Sequence, residues 1–259
     1  MTVQILTVDG QIDMAAFTEM SAPELKDWIC ERLLSAAPGV YAAAQTAEPA
    51  HYIIQRLYEH ADAALREDVR RALQEILGVL VDGNQQWPVQ AVVELLQVLE
   101  PVFRESDDIL DVKSAIHTAI DGDSVGPFKV DSVRRASLQA LVGLRDRCGY
   151  EFWKHQYEEL GPSALATVFE GLTLYSVDAA IHWMGTQPET AELRACVVNY
   201  LPLLIEDYGL ARIEALVRSS STLSHNPVIC SALREATFHC VETPERRIAV
   251  ALANCLAPT

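Results

Sequence analysis

Apolar residues recur every three to four positions over most of this chain, a pattern typical of amphipathic helices. The clearest example begins at Asp131, and its apolar face consists of Val133, Leu138, Leu141 and Leu144. Asp131 stands just before this face, where a side-chain oxygen is expected to cap the first free backbone N–H groups. The pattern therefore predicts a helix from Asp131 with these residues in the core.

A short pattern occurs five times along the chain: Val or Leu, then a cation, then any residue, then a small residue. Its copies stand at 69–72, 112–115, 133–136, 193–196 and 233–236. Eight positions after each opening residue comes a further apolar residue, namely Leu77, Ile120, Leu141, Leu201 and Val241. The copies start at intervals close to multiples of one helix plus one loop. We therefore predict an all-α protein in which similar helices are stacked.

Helix start signals support this prediction elsewhere. Ser21-Ala22-Pro23-Glu24 is a capping box with proline near the helix start. Altogether the patterns predict about a dozen helices joined by short loops. A loop at 121–130 contains two glycines and a proline, so we expect a hinge or internal boundary there.

Residues 1–20 form an N-terminal extension whose first part alone looks like a strand. Val3 and Ile5 alternate with polar residues, and Asp9-Gly10 offers a two-residue turn, so a short hairpin is expected. The hairpin either packs on the first helix or lends its edge to a partner as an added strand. The helical part is expected to span 21–259.

Composition narrows the possible functions. Half of the residues are hydrophobic, which permits a large core, and the formal net charge is −16. Such a charge disfavours nucleic acid and anionic membranes as partners and favours a basic one. The six cysteines form no C-x-x-C motif, so we interpret them as buried reduced thiols. With neither a signal peptide nor a membrane-length apolar run, the protein is expected to be cytoplasmic.

The repeat resembles the HEAT repeats of the armadillo-like superhelix class. The resemblance is carried by Asp68-Val69-Arg70-Arg71-Ala72, Asp111-Val112-Lys113-Ser114-Ala115 and Asp131-Ser132-Val133-Arg134-Arg135-Ala136. The third copy has one extra residue, and the copies from Leu193 and Leu233 lack the aspartate. The resemblance covers roughly 65–250 and implies a right-handed superhelix of antiparallel helix pairs.

In HEAT proteins the aspartate and the cation of this motif tend to bond between successive repeats. By that resemblance Asp68, Arg70, Asp111, Lys113 and Arg134 are structural, although a solvated surface charge is an equally good interpretation of each cation. A solenoid presents a concave surface, and such surfaces usually bind other proteins. The resemblance therefore implies a protein-binding adaptor.

Two groups of residues are candidates for partner binding. The first is an acidic run that includes Asp107 and Asp108, which could instead be a solubilising face with helix caps. The second is an aromatic cluster, which could equally be core packing. Its members are Phe152, Trp153, His155 and Tyr157.

Enzymes with helical-repeat folds are the alternative. Alkylpurine DNA glycosylases need pocket tryptophans with a carboxylate, which Trp153 or Trp183 near Asp178 could imitate, but the net charge opposes DNA binding. HEAT-type deoxyhypusine hydroxylases bind iron through His-Glu dipeptides, and this chain has none. For bilin lyases of the HEAT type no diagnostic residue is visible. We find no catalytic motif, no metal motif and no cofactor motif, so we expect a non-enzymatic interaction module.

Overall fold

The computed structural model describes residues 14–35, 48–83, 87–122, 126–188 and 190–219, together with Pro227. Within these ranges the chain is helical and has no strand. This confirms the all-α class. The expected hairpin at 2–12 and the repeat copy at 233–236 lie outside the described residues. Of the N-terminal extension, the structure describes the short helix α1, Met14–Thr18.

Helix α2, Ala22–Ser35, begins where the capping box predicts. The Glu24 carboxylate accepts hydrogen bonds from the backbone N–H and the hydroxyl of Ser21, at 2.8 and 2.6 Å. These bonds lower the pKa of the Glu24 carboxyl. The buried face of α2 includes Leu25, Ile29 and Leu33, spaced as one helix face requires.

The next two described helices are separated by a short loop. Helix α3 is Ala50–His60 and α4 is Ala63–Val81. The Asp62 carboxylate accepts from the Leu65 N–H at 2.9 Å and so caps α4. The loop between them is short because Asp62 caps α4 two residues after His60, where α3 ends.

Helix α5, Val89–Phe103, is the most apolar of the first half. Pro101 lies inside it, and the helix ends only two residues later, so the proline marks the last turn. Helix α6 is Ile109–Asp121. Pro127–Lys129 then forms one turn of 3-10 helix inside the segment where a hinge was expected.

Helix α7, Asp131–Gly143, buries the apolar face that the periodicity predicts. Val133, Leu138, Leu141 and Leu144 have no exposed surface. Asp131 is the first residue of the helix rather than its cap, and the capping position belongs to Val130. The expectation was therefore wrong by one residue, an ordinary error at a helix end.

The chain divides into two compact units, Met1–Asp146 and Arg147–Thr259. In the first unit, from α2 to α7, helices pack on the helix two positions further along. The sequence α2, α4, α6 forms one row of contacting helices, and α3, α5, α7 forms a second row. Consecutive helices such as α4 and α5 also contact each other, so the two rows share one core.

The second unit contains five described helices: α8, Tyr150–Leu160; α9, Leu165–Tyr175; α10, Val177–Gly185; α11, Ala191–Tyr208; and α12, Leu210–Ser219. A 3-10 turn, Gly161–Ala164, joins α8 to α9. Contacts between α9 and α11 and between α10 and α12 repeat the order of the first unit.

The four repeat copies within the described residues all face a core. The opening residues Val69, Val112, Val133 and Leu193 are at most 1% exposed. The residues eight positions later, Leu77, Ile120, Leu141 and Leu201, are buried as well. The repeated pattern therefore identifies the inward face of α4, α6, α7 and α11. None of the helices in the described ranges is both long and apolar enough to cross a membrane.

Candidate functional site

The acidic candidates lie at the start of α6. Asp107 is exposed, while Asp108 is half-buried and immediately precedes the helix. The Asp108 N–H donates to the Ser106 hydroxyl at 3.2 Å, and its carboxylate lies 3.9 Å from the Arg70 guanidinium. Asp108 therefore joins α6 to α4, whereas Asp107 faces solvent.

Asp107 has acidic neighbours that are also exposed, namely Glu105 and Asp111. Within the described part of the chain, no cation lies at ion-pair distance from Glu105, Asp107 or Asp111. By contrast, Glu100 pairs with Arg104 one turn away. Negative charge near a helix N-terminus interacts favourably with the helix dipole, which stabilises α6 whatever else this segment does.

The aromatic candidates are divided between core and surface. Trp153 has no exposed surface and packs edge-on against Phe152, with ring centroids 5.2 Å apart. Its indole ring lies directly against Gly171 of α9, where even a β-carbon would overlap the ring. Trp153 is therefore a packing residue of the α8–α9 pair, as the core interpretation expected.

The other members of the aromatic cluster are more accessible. His155 is exposed, and Phe152 and Tyr157 are half-buried. Tyr157 packs edge-on against Trp183 of α10 at 5.1 Å, and burial raises the pKa of its hydroxyl. Partner binding by Phe152, His155 and Tyr157 stays a prediction.

A buried carboxylate that sequence reasoning did not single out lies between α3 and α5. Glu94 is only 6% exposed. Its carboxylate contacts His51 Nδ1 at 2.5 Å and accepts from the His51 backbone N–H at 3.1 Å. A third donor, the Gln90 amide, lies 3.2 Å away. Glu94 thus caps the first turn of α3 from the neighbouring helix.

The His51 ring is held in one orientation by this carboxylate, as in the base-orienting pair of many hydrolases. It also packs beside the exposed ring of Tyr52, with centroids 4.1 Å apart. These contacts give Glu94 a structural role, because each of them lies within α5 or joins α5 to the N-terminus of α3. The sequence contained one clue, a glutamate within the apolar run of α5.

A second histidine–carboxylate pair lies at the end of the first unit. His117 Nε2 of α6 is 2.6 Å from the Asp146 carboxylate, just after α7. Both side chains are partly exposed. Imidazole and carboxylate are groups that ligate transition metals, and here they bond to each other.

A shallow groove of about 230 Å³ runs between α2 and α4. Its walls carry two ion pairs, Lys26–Glu75 at 2.6 Å and Arg71–Asp68 at 3.3 Å. A volume of this size is below the roughly 300–1,000 Å³ of typical small-molecule sites. Because its charges are paired, the groove offers a mixed polar surface rather than a substrate pocket.

The residues that could imitate a glycosylase pocket do not come together as one. Trp183 is buried against Tyr157, and Asp178 is exposed and pairs with Arg212 at 3.1 Å. Trp153 lies in the α8–α9 core. None of these tryptophans presents a ring to a ligand beside a carboxylate.

The described thiols are poorly suited to nucleophilic chemistry. Burial, reinforced by the nearby Glu170 carboxylate, raises the pKa of Cys196 to about 12. Burial also raises the pKa of the Cys30 thiol. At neutral pH both are therefore protonated, which agrees with the interpretation of the cysteines as reduced packing residues. Cys148 is also a buried thiol.

Comparison with protein families, with curated proteins and with solved structures finds no match to this chain.

Proposed function

We propose that this chain is a non-enzymatic protein-interaction module, built as a HEAT-like α-solenoid, that binds a basic partner on the surface of its helical repeats. The observation that carries the proposal is that helices pack on the helix two positions further along, from α2 to α7 in the first unit and from α9 to α12 in the second. Stacked rows of this kind present extended surfaces, which repeat proteins use to bind other proteins.

Polar contacts at the repeat motif support the solenoid. Arg70 donates to the Tyr58 hydroxyl of α3 at 2.9 Å and lies 3.9 Å from Asp108 before α6. Lys113 of α6 donates to the Arg145 carbonyl after α7 at 3.4 Å. Both cations therefore connect different helices, which supports the structural role that the HEAT resemblance implies for them. Asp68 instead pairs with Arg71 of its own helix.

The charge distribution favours the first unit as the binding part. Residues 1–146 contain 23 acidic side chains against 12 basic ones, whereas residues 147–259 contain 13 against 8. Among the described residues, no cation lies at ion-pair distance from the exposed acids at the start of α6, which are Glu105, Asp107 and Asp111. A basic segment of a partner would complete this surface by electrostatic complementarity.

The test is affinity capture from an extract of the native host, followed by mass spectrometry. The bait is the full chain, compared with the variant Glu105→Gln/Asp107→Asn/Asp111→Asn. We expect a small set of proteins with basic segments to be retained by the wild type and lost by the variant. For a partner so identified, calorimetry is expected to give an affinity that falls as salt concentration rises.

A control variant with the same change in total charge separates a local site from general attraction. Glu151→Gln/Glu158→Gln/Asp178→Asn removes three acids of α8 and α10, each of which lies near a cation. This control variant is expected to retain the same partners as the wild type. Equal loss in both variants, or capture that neither variant changes, would contradict binding at the start of α6.

A further inference from the structure

The turn that follows α7 contains a backbone conformation that non-glycine residues rarely adopt. Arg145 has φ of +56°, in the left-handed region. It is the one described non-glycine residue with positive φ. Such a conformation costs energy and persists only where the surroundings impose it.

Backbone hydrogen bonds impose it in part. The Arg145 N–H donates to the Val142 carbonyl and the Asp146 N–H to the Leu141 carbonyl, each at 2.9 Å. These two bonds are those of a Schellman motif, which ends a helix with a left-handed residue and usually places glycine there. Glycine would fit this position without strain, but the chain has arginine.

Side chains from outside α7 fasten the same turn. Arg104, the residue that follows α5, donates to the Gly143 carbonyl at 3.1 Å. From α6, Lys113 donates to the Arg145 carbonyl at 3.4 Å, and His117 is 2.6 Å from the Asp146 carboxylate. The strained residue is thus held on both sides by bonds from outside its own helix.

We propose that residues 143–146 form a latch: the His117–Asp146 contact closes it, and opening it lets Arg145 leave the left-handed region. The latch lies where the first unit ends, at Asp146. Its closing side chains are partly exposed to solvent, so a competing group can reach them. The strain at Arg145 favours the open form and the surrounding bonds favour the closed form, which is the arrangement that a two-state element requires.

Limited digestion of the full chain with trypsin tests the latch, because Arg145 and Arg147 are both exposed cleavage sites within or beside the turn. Initial cleavage rates at these two sites are measured by mass spectrometry. In His117→Ala we expect them to rise roughly threefold to tenfold, the change in a local opening equilibrium when one hydrogen bond is lost. Cleavage at Arg66 and Arg71, which are exposed on α4, serves as the reference and is expected to stay constant.

The matched control is His60→Ala. His60 is an exposed histidine on α3 whose ring bonds to the Arg56 carbonyl of its own helix. This variant is expected to cut like the wild type at Arg145 and Arg147. If His117→Ala folds with an unchanged melting temperature and is cut no faster at these sites, the latch is refuted.

A second variant keeps the proposal testable even if His117→Ala destabilises the whole unit. Arg145→Gly removes the strain and leaves the Asp146 carboxylate and the backbone bonds in place. We expect slower cleavage after Arg147 in this variant, because the closed turn becomes more favourable. Faster or unchanged cleavage after Arg147 would show that strain at position 145 does not drive opening.

Discussion

Within each of the two units, the helices are joined to one another by a different kind of contact. In the first, many helix-to-helix links are polar: His51 with Glu94, Arg70 with Tyr58, and Lys26 with Glu75. In the second, rings make several of the links: Trp153 on Gly171, Tyr157 on Trp183, and Phe169 beside Tyr200. One helix order is therefore stabilised in two ways, and the two ways predict different responses to mutation, pH and salt.

The largest effect is expected where a ring fills the space above a glycine. Trp153→Ala should lower the free energy of unfolding of the second unit by about 3–5 kcal/mol, because it empties a fully buried site. Gly171→Ala is expected to be destabilising too, since its methyl group would overlap the indole ring. Chemical denaturation measures both.

A double variant sharpens this prediction. Trp153→Leu should relieve the overlap created by Gly171→Ala, so the pair is expected to cost less than the sum of the two single changes. Strict additivity would mean that the ring and the glycine do not share this space.

Alkaline pH should affect the second unit next most strongly. Burial raises the pKa of Cys196 to about 12 and that of Tyr200 above its ordinary value, with a hydrogen bond to Glu170 adding to the latter. A raised folded-state pKa gives stability that is complete below the unfolded pKa and is lost as pH rises through the folded value. Between pH 9 and 12 we expect a loss of a few kcal/mol.

The variant Cys196→Ala removes this titration and should flatten the pH dependence of the melting temperature above pH 9. Cys30→Ala is the control from the first unit, because its half-buried thiol also has a raised pKa. A flattening of equal size in both variants would contradict the assignment of the larger effect to Cys196.

An intermediate effect is expected at the buried carboxylate of the first unit. Glu94→Ala leaves the backbone N–H of His51 without its acceptor, so we expect a loss of about 1–3 kcal/mol. Glu94→Gln keeps an acceptor oxygen and should cost less. Urea unfolding of both variants checks this order, and a larger loss in Glu94→Gln than in Glu94→Ala would contradict the stabilising role of the acceptor oxygen.

The smallest effect is expected at the exposed ion pair between α2 and α4. Lys26→Met should change stability by less than about 1 kcal/mol, because both partners are solvated and salt screens their attraction. Thermal unfolding at low and high salt measures it. A loss well above about 1 kcal/mol would contradict the weak contribution expected of an exposed ion pair.

Much of the helix pattern could be predicted from the sequence. Periodicity gave the all-α class, and the repeated pattern identified the buried faces of α4, α6, α7 and α11. Helix ends were less accurate, as at Asp131, because neighbouring residues compete for the capping position. The chain divides at Asp146, and the segment 121–130 lies within the first unit. A hinge at 121–130 stays a prediction.

The polar contacts between helices could not be predicted. His51 and Glu94 are far apart in sequence, and only the packing of α3 on α5 brings them together. The burial of Trp153 could not be predicted either, because an aromatic residue in a cluster looks the same in sequence whether it packs on a glycine or faces a partner. In the structure, its indole ring packs against Gly171 of α9.

The central feature of the fold is that helices pack on the second one after them, from α2 to α7 and from α9 to α12, and zero-length carbodiimide cross-linking tests this order most directly. Lys26 and Glu75 join α2 to α4 at 2.6 Å, so their peptides are expected to be linked in the intact chain. Lys154 and Glu158, 3.9 Å apart within α8, provide the internal control for the reaction. Linkage of Lys26 to acids of other helices instead, with the control formed, would contradict this order.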